Sequence, residues 1–353
     1  MSHYVGLDVS LKETSVCVVA GDGRVVWRGT CRSTPEAMSA TLSKRAPEAV
    51  RVVLESGTLS TWHWHGLKEL GVPVVCVDAR QAKAALSGRV NKSDALDAEG
   101  LAQLARTGWY AEVRVKSLDS YRMRSVLVAR AKLVDMKRTL SNTIRSLLKT
   151  FGLFTCGARG KGFAERVRAA AAQEPLAAKG IQALLTSWEA IAEQVRGLDR
   201  LLSGLARRDP VCRDILMTAP GVGSLTALAF KTVIDTPQRF RRGEEVAAYL
   251  GLAPRRHQSG DVDRMGRISR CGDSLLRSYL FEAATVALSR VKRANGPCAW
   301  AAALAKRVGM AKARVALARK LAVILFAMWR GEQPFRWGDS PVGEAPAALP
   351  AAA

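Results

Sequence analysis

The sequence has few of the features on which membrane-spanning, disulfide-linked or zinc-binding proteins depend. No apolar run approaches the roughly 18 residues of a membrane span, and the N-terminus has neither a basic leader nor an apolar signal core. There are four histidines and seven scattered cysteines, and no two cysteines form a C-x-x-C pair. We therefore expect a cytoplasmic protein with no membrane partner, and with neither a disulfide framework nor a structural zinc site.

Acidic residues are also scarce relative to basic ones. The chain has 54 Lys and Arg residues but only 31 Asp and Glu residues, for a net charge of +23. Residues 1–110 hold 13 basic and 11 acidic residues, whereas residues 111–353 hold 41 and 20. Such an excess predicts a polyanionic partner, and nucleic acid is the first choice because binding releases the counterions of its phosphates. The alternative is a basic protein without such a partner.

Residues 1–110 predict an α/β domain. Three strand-like segments joined by short turns come first, and two buried strands then alternate with helices. The five segments are HYVGLDVS, TSVCVVA, VVWRGTCR, VRVVLES and VPVVCVD. Pro35, directly after Thr34, marks the start of the first helix. This order of elements is that of a ribonuclease-H-like sheet.

Residues 111–209 predict a helical connector. Val126, Leu133, Leu140 and Leu147 recur every seven residues. A second apolar stripe with alternating spacings of four and three contains Leu184, Trp188, Ile191, Val195, Leu198, Leu202 and Leu205. Two stripes on either side of a glycine-containing break predict a helical hairpin, or a coiled coil that pairs protomers. A plain buried face in a helical domain is the alternative.

Residues 210–338 predict a third, mostly helical domain. The stretch TAPGVGSLTALAF resembles a helix-hairpin-helix, in which Gly221 and Gly223 would expose backbone N–H groups to a DNA phosphate. A simple helix–helix turn is the alternative reading. Further helices are expected over 244–250, 272–291 and 310–330. The Pro/Ala-rich residues 339–353 predict a disordered tail.

Four carboxylates stand out in the first domain. Asp8 lies within the first strand-like segment and Glu55 ends the fourth, while Asp94 and Asp97 are three residues apart and so share a helix face. Carboxylates gathered at the end of a sheet need cations, and all-oxygen ligands suit Mg²⁺, with Mn²⁺ as a substitute. Two such ions could hold the attacking and leaving oxygens of a phosphoryl transfer. Glu99, five residues after Asp94, is excluded from the shared face. Separately, Asp8 could cap a turn and Asp94 a helix.

Residues 255–277 concentrate positive charge around serines, which indicates either a solvated loop or a phosphate-binding site with a nucleophile. The arginines of this segment are Arg255, Arg256, Arg264, Arg267, Arg270 and Arg277. Their guanidinium groups could hold phosphate oxygens and stabilise the charge of a transition state. Ser259, Ser269 and Ser274 compete for the role of nucleophile, and the pattern alone does not choose among them. Asp261 and Asp263 are expected to be loop residues.

These motifs, in this order, resemble the insertion-sequence 110 family of transposases. Asp8, Glu55, Asp94 and Asp97 are similar to the DEDD signature of that family's RuvC-like domain. The stretches APGVGSLTA, VAAYLGLAPRRHQSG and GRISRCGDSLLR resemble its C-terminal transposase domain. The likeness covers about residues 4 to 335. One departure is His257, where family members often have an aromatic or another residue.

The resemblance implies a recombinase that excises and inserts its own mobile element. It implies that the four carboxylates bind Mg²⁺, and that Ser259 becomes covalently joined to DNA. It also implies element-end and target DNA as partners, with a non-coding bridge RNA that pairs with both. The protein would then be a homo-oligomer, a dimer or tetramer, whose active sites combine the RuvC-like domain of one protomer with the serine domain of another.

Three other functions remain open at this point. A RuvC-like junction nuclease would use water as its nucleophile and would not need Ser259. An architectural nucleic-acid-binding protein would bind with steep salt dependence and would break no strands. A sugar kinase is a distant fourth candidate, because the chain has no second glycine-rich phosphate loop.

Overall fold

A computed structural model describes residues 2–87, 93–155, 162–260, 262–290 and 296–337. The chain divides into two compact units, Met1–Lys116 and Ser117–Ala353. None of the described helices combines the length and the apolar character needed to cross a membrane. The finer boundaries predicted at residues 110, 209 and 338 stay predictions.

The first unit contains a five-stranded mixed sheet. Its strands are β1 (His3–Val9), β2 (Glu13–Ala20), β3 (Val25–Arg32), β4 (Ala49–Glu55) and β5 (Val74–Val77). They lie in the order β3-β2-β1-β4-β5. Strand β2 pairs antiparallel with both β1 and β3, and β4 pairs parallel with both β1 and β5. All five predicted strands are present, and the meander followed by parallel strands confirms the predicted ribonuclease-H-like arrangement.

Four helices accompany this sheet. They are α1 (Pro35–Arg45), α2 (Ser60–Glu69), α3 (Ala79–Leu86) and α4 (Asp94–Thr107). The side chain of Thr34 caps α1 by accepting a hydrogen bond from the Ala37 amide at 3.3 Å, and Pro35 follows it as predicted. Helix α4 is capped in the same way by Ser93, so Asp94 is the first helical residue and is not the N-cap.

The second unit is mostly helical. Its helices are α5 (Leu118–Thr150), α6 (Gly162–Ala171), α7 (Pro175–Arg208), α8 (Ser224–Ile234), α9 (Gly243–Tyr249), α10 (Ser274–Arg290), α11 (Gly296–Val308) and α12 (Met310–Arg330). One π-helical turn, Val211–Ile215, and two 3-10 turns, Leu216–Thr218 and Pro237–Arg239, connect them. The predicted helices α9, α10 and α12 are present, whereas α11 was not expected.

The long helices α5 and α7 pack against each other within the chain. The Trp188 indole donates to the Ser141 hydroxyl at 2.7 Å, and Arg130 donates to Asp199 at 2.7 Å. Ser141 follows Arg130 along α5, whereas its partner Trp188 precedes Asp199 along α7. The two helices therefore run antiparallel. This is the packing that a helical hairpin requires; coiled-coil pairing between protomers stays a prediction.

The most deeply buried residues of α5 are not those of its heptad stripe. Leu127, Ile144 and Leu148 are fully buried, whereas Leu147 of the stripe is 42% exposed. The stripe of α7 is closer to the observed face, since Trp188, Val195 and Leu202 are buried. The physical reason is that α5 also contacts α6 and α8, so its buried face is wider and rotated relative to a two-helix seam.

Two segments on either side of residues 260 and 261 form a two-stranded antiparallel ribbon, so Asp263, predicted to be a loop residue, lies in a strand. Its strands are β6 (Pro254–Ser259) and β7 (Val262–Ile268). Almost every residue of the ribbon is exposed on both faces. Such a strand carries no apolar alternation, which explains why the sequence did not indicate it.

Some predictions fall on residues outside the described part of the chain. The disordered tail over 339–353, Asp261 and Cys156 lie there. None of the six described cysteines forms a disulfide bond. Burial raises the pKa of Cys76 to about 11 and that of Cys212 to about 12, so both thiols stay protonated at neutral pH and are poor nucleophiles.

Candidate active site

Two of the predicted carboxylates lie side by side at one end of the sheet. Asp8 is the penultimate residue of β1, nearer the strand end than the sequence suggested, and Glu55 is the last residue of β4. The parallel register aligns Gly6 with Val53 and Leu7 with Leu54. Because side chains alternate along a strand, Asp8 and Glu55 share the face of Gly6 and Val53, which is the face covered by α4.

The other two carboxylates extend the buried face of α4. Ala98 and Leu101 pack on the sheet, and Asp94 and Asp97 each precede one of them by four residues, so they follow the same face of the helix. The helix runs opposite to β1, since its first turns lie toward the end of the strand that carries Asp8. The fold therefore brings β1, β4 and the start of α4 to one edge.

This edge supplies the ligand chemistry that a hard divalent cation prefers. All four side chains are carboxylates, and residues of this type bind Mg²⁺ or Mn²⁺ through oxygen. Among the described residues, however, no three His, Cys, Asp or Glu side chains stand at metal-binding spacing. The DEDD residues fit a metal in donor type, and their elements meet at one edge, but their side chains are not gathered at metal-binding spacing within the described residues, so metal binding stays a proposal. Glu99 is elsewhere, in an ion pair with Arg28 of β3.

The second unit presents Ser259 at the tip of the ribbon. Ser259 is the last residue of β6 and pairs with Val262, across a turn in which Gly260 has a φ of +54°. The serine is exposed, and its hydroxyl makes no hydrogen bond with any residue that the structure describes. An exposed hydroxyl at the end of a projecting ribbon can reach the backbone of a large substrate.

The ribbon sorts its polar residues onto two faces. His257 pairs with Arg264, and Gln258 pairs with Asp263. By strand alternation, His257 and Arg264 share a face with Ser259, while Asp263 and Arg256 lie on the opposite face. The predicted loop did not reveal this relation, although the two-residue spacing of His257 and Ser259 indicates it once a strand is assumed.

The six arginines differ in how they are engaged. Arg256 forms two hydrogen bonds with Asp263, at 2.9 and 2.6 Å, and these lower the pKa of Asp263. Arg255 donates to the carbonyl of Ser269 at 3.2 Å, and Arg277 donates to that of Leu250 at 3.1 Å. The side chains of the remaining three form neither a hydrogen bond nor an ion pair within the described residues; these are Arg264, Arg267 and Arg270. These three are the guanidinium groups most readily offered to a phosphate.

The two glycines of the predicted hairpin have different surroundings. Gly221 has a φ of +77°, and a Cβ there would lie 2.2 Å from the carbonyl oxygen of Ala283 on α10. Its lack of a side chain is therefore required by packing. Gly223 precedes α8, is exposed, and has open space where a Cβ would be. Of the two, Gly223 is the exposed glycine; a role for either in binding DNA stays a prediction.

The competing serines occupy structural positions. The Ser269 hydroxyl accepts a hydrogen bond from the Cys271 amide at 3.4 Å. Ser274 begins α10, and Asp273 before it caps the helix by accepting from the Leu276 amide at 2.8 Å. Ser259 and Ser274 are the two candidates whose hydroxyls make no hydrogen bond within the described residues, and of these Ser259 is the one at the projecting tip of the ribbon.

Comparison with known families and proteins matches both units. The family model for DEDD-type transposases of IS110 elements, described as "Transposase", matches residues 5–152. The model described as "Transposase IS116/IS110/IS902 family" matches residues 213–297. The first includes all four carboxylates of the sheet edge, and the second includes Ser259, the ribbon and the six arginines.

Individual relatives extend over nearly the whole chain. A transposase for insertion sequence element IS1111A from Coxiella burnetii is 27% identical over 95% of this chain and 91% of its own length. A putative transposase from Sinorhizobium fredii is 30% identical over 78% of this chain and 72% of its own. Thermus thermophilus RuvC is 18% identical over 31% of this chain and 99% of its own, with a TM-score of 0.26. The last structural similarity is too low to support any conclusion, so the fold assignment of the first unit rests on its own strand order.

Proposed function

The chain belongs to the IS110 family of transposases and is a DNA recombinase; on that premise we propose that it cleaves and rejoins DNA through a covalent bond between Ser259 and a strand end. The observation that carries this proposal is the position of Ser259. It stands exposed at the tip of a ribbon, and it shares a face with Arg264, whose guanidinium has no partner among the described residues.

The proposed step exchanges one phosphodiester for another. The Ser259 Oγ attacks phosphorus, a P–O bond to Oγ forms, and the bond to one ribose oxygen breaks. The serine proton passes to a base or to water, and the departing ribose oxygen takes up a proton. Because the new bond has the same type as the old one, a second ribose hydroxyl can reverse the exchange and rejoin strands without an energy-rich cofactor.

Arginines at the ribbon stabilise the negative charge that grows on the phosphate oxygens. Arg264 is on the serine face, and Arg267 and Arg270 are further along the same segment. Guanidinium groups hold phosphate oxygens in pairs and keep their charge at every relevant pH. Arg256 contributes less in this arrangement, since Asp263 already binds it.

Asp8, Glu55, Asp94 and Asp97 are the residues that would hold divalent ions, Mg²⁺ in the first instance. Bound there, such ions supply charge stabilisation to the attacking and leaving oxygens. Strands β1 and β4 carry Asp8 and Glu55, and α4 carries Asp94 and Asp97. The proposed metal-binding role therefore depends on the close packing of α4 on the sheet. The part of these carboxylates in the reaction is tested separately from that of Ser259.

A covalent-adduct assay tests the proposal. The full-length protein, RNA copurified from its native locus, Mg²⁺ and labelled DNA spanning an element end are mixed, denatured and separated on a gel. We expect a protein–DNA adduct with the native chain and none with Ser259→Ala or Asp8→Asn. Ser269→Ala is the matched control, because it removes a hydroxyl from the same segment, and it should leave the adduct in place.

The alternatives predict different gels. Strand cleavage without an adduct, unchanged by Ser259→Ala, would establish the water-using nuclease instead. Binding with no strand breakage under any metal condition would indicate an architectural role.

Three further parts of the proposal rest on family membership and charge. We propose guidance by a bridge RNA, assembly of protomers into composite active sites, and a cytoplasmic, nucleoid-associated location. The excess of 41 basic over 20 acidic residues after residue 110 supports a polyanionic partner, but it does not distinguish RNA from DNA.

A further inference from the structure

An open cleft of about 400 Å³ lies at the base of the ribbon, within the second unit. Its apolar walls come from the base of the ribbon and from helices α10 and α12. They consist of Leu252, Ile268, Phe281, Val315 and Ala318. Polar groups border it along α10 and the segment before it, namely Arg270, Ser274, Arg277, Ser278 and Glu282. Its volume lies near the small end of the roughly 300–1,000 Å³ typical of ligand pockets.

Arg270 is held at this cleft by an unusual backbone. Its φ is +56°, a conformation that favours glycine. Two neighbouring bonds fix it, from the Arg270 amide to the Gly251 carbonyl at 3.0 Å and from the Ser269 amide to the Ala253 carbonyl at 2.8 Å. The chain thus places arginine where glycine would be unstrained, and the guanidinium has no partner among the described residues.

The border and walls match the two halves of a nucleotide. Arg270 and the part of Arg277 not bound to Leu250 can hold a phosphate. The half-buried ring of Phe281 and the aliphatic walls can receive the flat face of a base, as aromatic platforms do in single-strand binding proteins.

Glu282 adds a chemical preference. It is exposed, lines the cleft, and forms neither a hydrogen bond nor an ion pair within the described residues. A carboxylate accepts hydrogen bonds and cannot donate them, so it favours a base edge that carries an amino group, such as N4 of cytosine. A base with a carbonyl at that position, such as uracil, would place two acceptors together.

We propose that this cleft binds one unstacked nucleotide of a DNA strand, with the phosphate at Arg270 and Arg277 and an amino-bearing base against Phe281 and Glu282. The site deepens the proposed function, since it presumes that this unit binds DNA. The six residues of β6 separate it from Ser259 by about 20 Å, at roughly 3.3 Å per residue. The bound nucleotide is therefore not the one cleaved.

Fluorescence anisotropy with two labelled single strands, 15 deoxycytidines and 15 deoxyuridines, tests the preference. The two probes share their backbone charge and lack the thymine methyl group, so they differ only in the base edge. We expect the full-length protein to bind the cytosine strand about tenfold more tightly. Glu282→Gln should reduce this ratio to about one, because an amide can also donate. Glu244→Gln, which makes the same charge change at an exposed position on α9, should preserve it.

Arg270→Gly separates binding from folding. It removes the guanidinium and relieves the backbone, so both strands should bind several-fold more weakly while the thermal midpoint holds or rises. Equal affinity of the native chain for the two strands, or an unchanged ratio in Glu282→Gln, would overturn the proposed site. So would an Arg270→Gly variant that binds both strands as tightly as the native chain.

The test is independent of the serine chemistry. Ser259→Ala should keep the cytosine preference, since the two sites lie apart. A cytosine preference in the native chain, together with no adduct from that same native chain, would retain the cleft and overturn the recombination step. Failure to bind either strand would overturn the proposed cleft and would leave the recombination step to the adduct assay.

Discussion

The contact between Gly6 and α4 controls where two of the four DEDD carboxylates lie. A Cβ at Gly6 would stand 2.0 Å from the Ala98 carbonyl oxygen, 2.4 Å from the Ala102 nitrogen and 2.8 Å from the Leu101 Cβ. All three belong to α4, and two of them are backbone atoms that no rotamer change can move. In Gly6→Ala, therefore, either the helix retreats from the sheet or the strand distorts.

The size of the effect follows from these distances. Real Cβ contacts are essentially never closer than 3.0 Å, so the helix must move by about 1 Å or more. Overpacking of this kind costs roughly 1–3 kcal/mol or more of folding free energy. The same shift carries Asp94 and Asp97 away from Asp8, and a 1 Å misplacement of reacting groups lowers rates about 100-fold. We expect both a lower urea midpoint and a comparable loss of adduct formation.

Urea unfolding followed by circular dichroism measures the first effect, and the adduct gel measures the second. Gly21→Ala is the matched control: it makes the same change in the same unit, where nothing lies within 4 Å of the added Cβ. That variant should be as stable as the native chain and fully active. If Gly6→Ala unfolded at the same urea concentration as Gly21→Ala and formed as much adduct, the argument that α4 must touch β1 at this glycine would be wrong.

Three further predictions follow from the second unit and the charge distribution. Gly221→Ala should lower the free energy of unfolding by roughly 2–5 kcal/mol, because it combines a backbone clash with a φ of +77°. Gly223→Ala should leave the urea midpoint unchanged. Equal urea midpoints for the two variants would contradict the packing role of Gly221. Burial alone would raise the pKa of Asp209, but hydrogen bonds from Lys231 and the Cys212 amide outweigh it and lower the pKa. That carboxylate should therefore stabilise the fold above about pH 4 and lose its contribution as pH falls further. In unfolding titrations, Asp209→Asn should make the free energy of unfolding less dependent on pH in this acid range. An unchanged pH dependence in the variant would argue against the Asp209–Lys231 ion pair. DNA affinity should fall steeply with salt, by about 10³-fold or more between 50 and 200 mM if six or more phosphates are contacted, and a shallow slope in anisotropy titrations would refute broad backbone contact.

Much of the first unit could be predicted because its signals are local. Buried strands such as β4 and β5 read as short apolar runs, and the Thr34-Pro35 pair marks a helix start by its own chemistry. Asp94 and Asp97 could be assigned to one face from helical periodicity alone. The cap of α4 could not be assigned from the sequence, because Ser93 and Asp94 are both good caps and local chemistry does not say which one precedes the first helical residue.

The serine site was less predictable. The ribbon is exposed on both faces, so no burial pattern imposes a period of two, and its strands resemble a loop in sequence. Which face carries Ser259, and which arginines are already engaged, follows from the pairing register. The register places Asp263 where it can bind Arg256, and no spacing rule predicts that pair.

The amino-acid sequence by itself determined the succession of strands and helices in the first unit, the helical character of the second and the identity of the charged groups, since these depend on local periodicity and composition. Only the tertiary structure decided how close α4 approaches β1, why Gly221 must be a glycine, and how the ribbon base, α10 and α12 enclose a cleft. The reason is that each of these depends on atoms distant in the chain. A glycine is required by packing only when another part of the backbone lies within about 3 Å of the position that a Cβ would occupy. The sequence does not show which backbone atoms lie there.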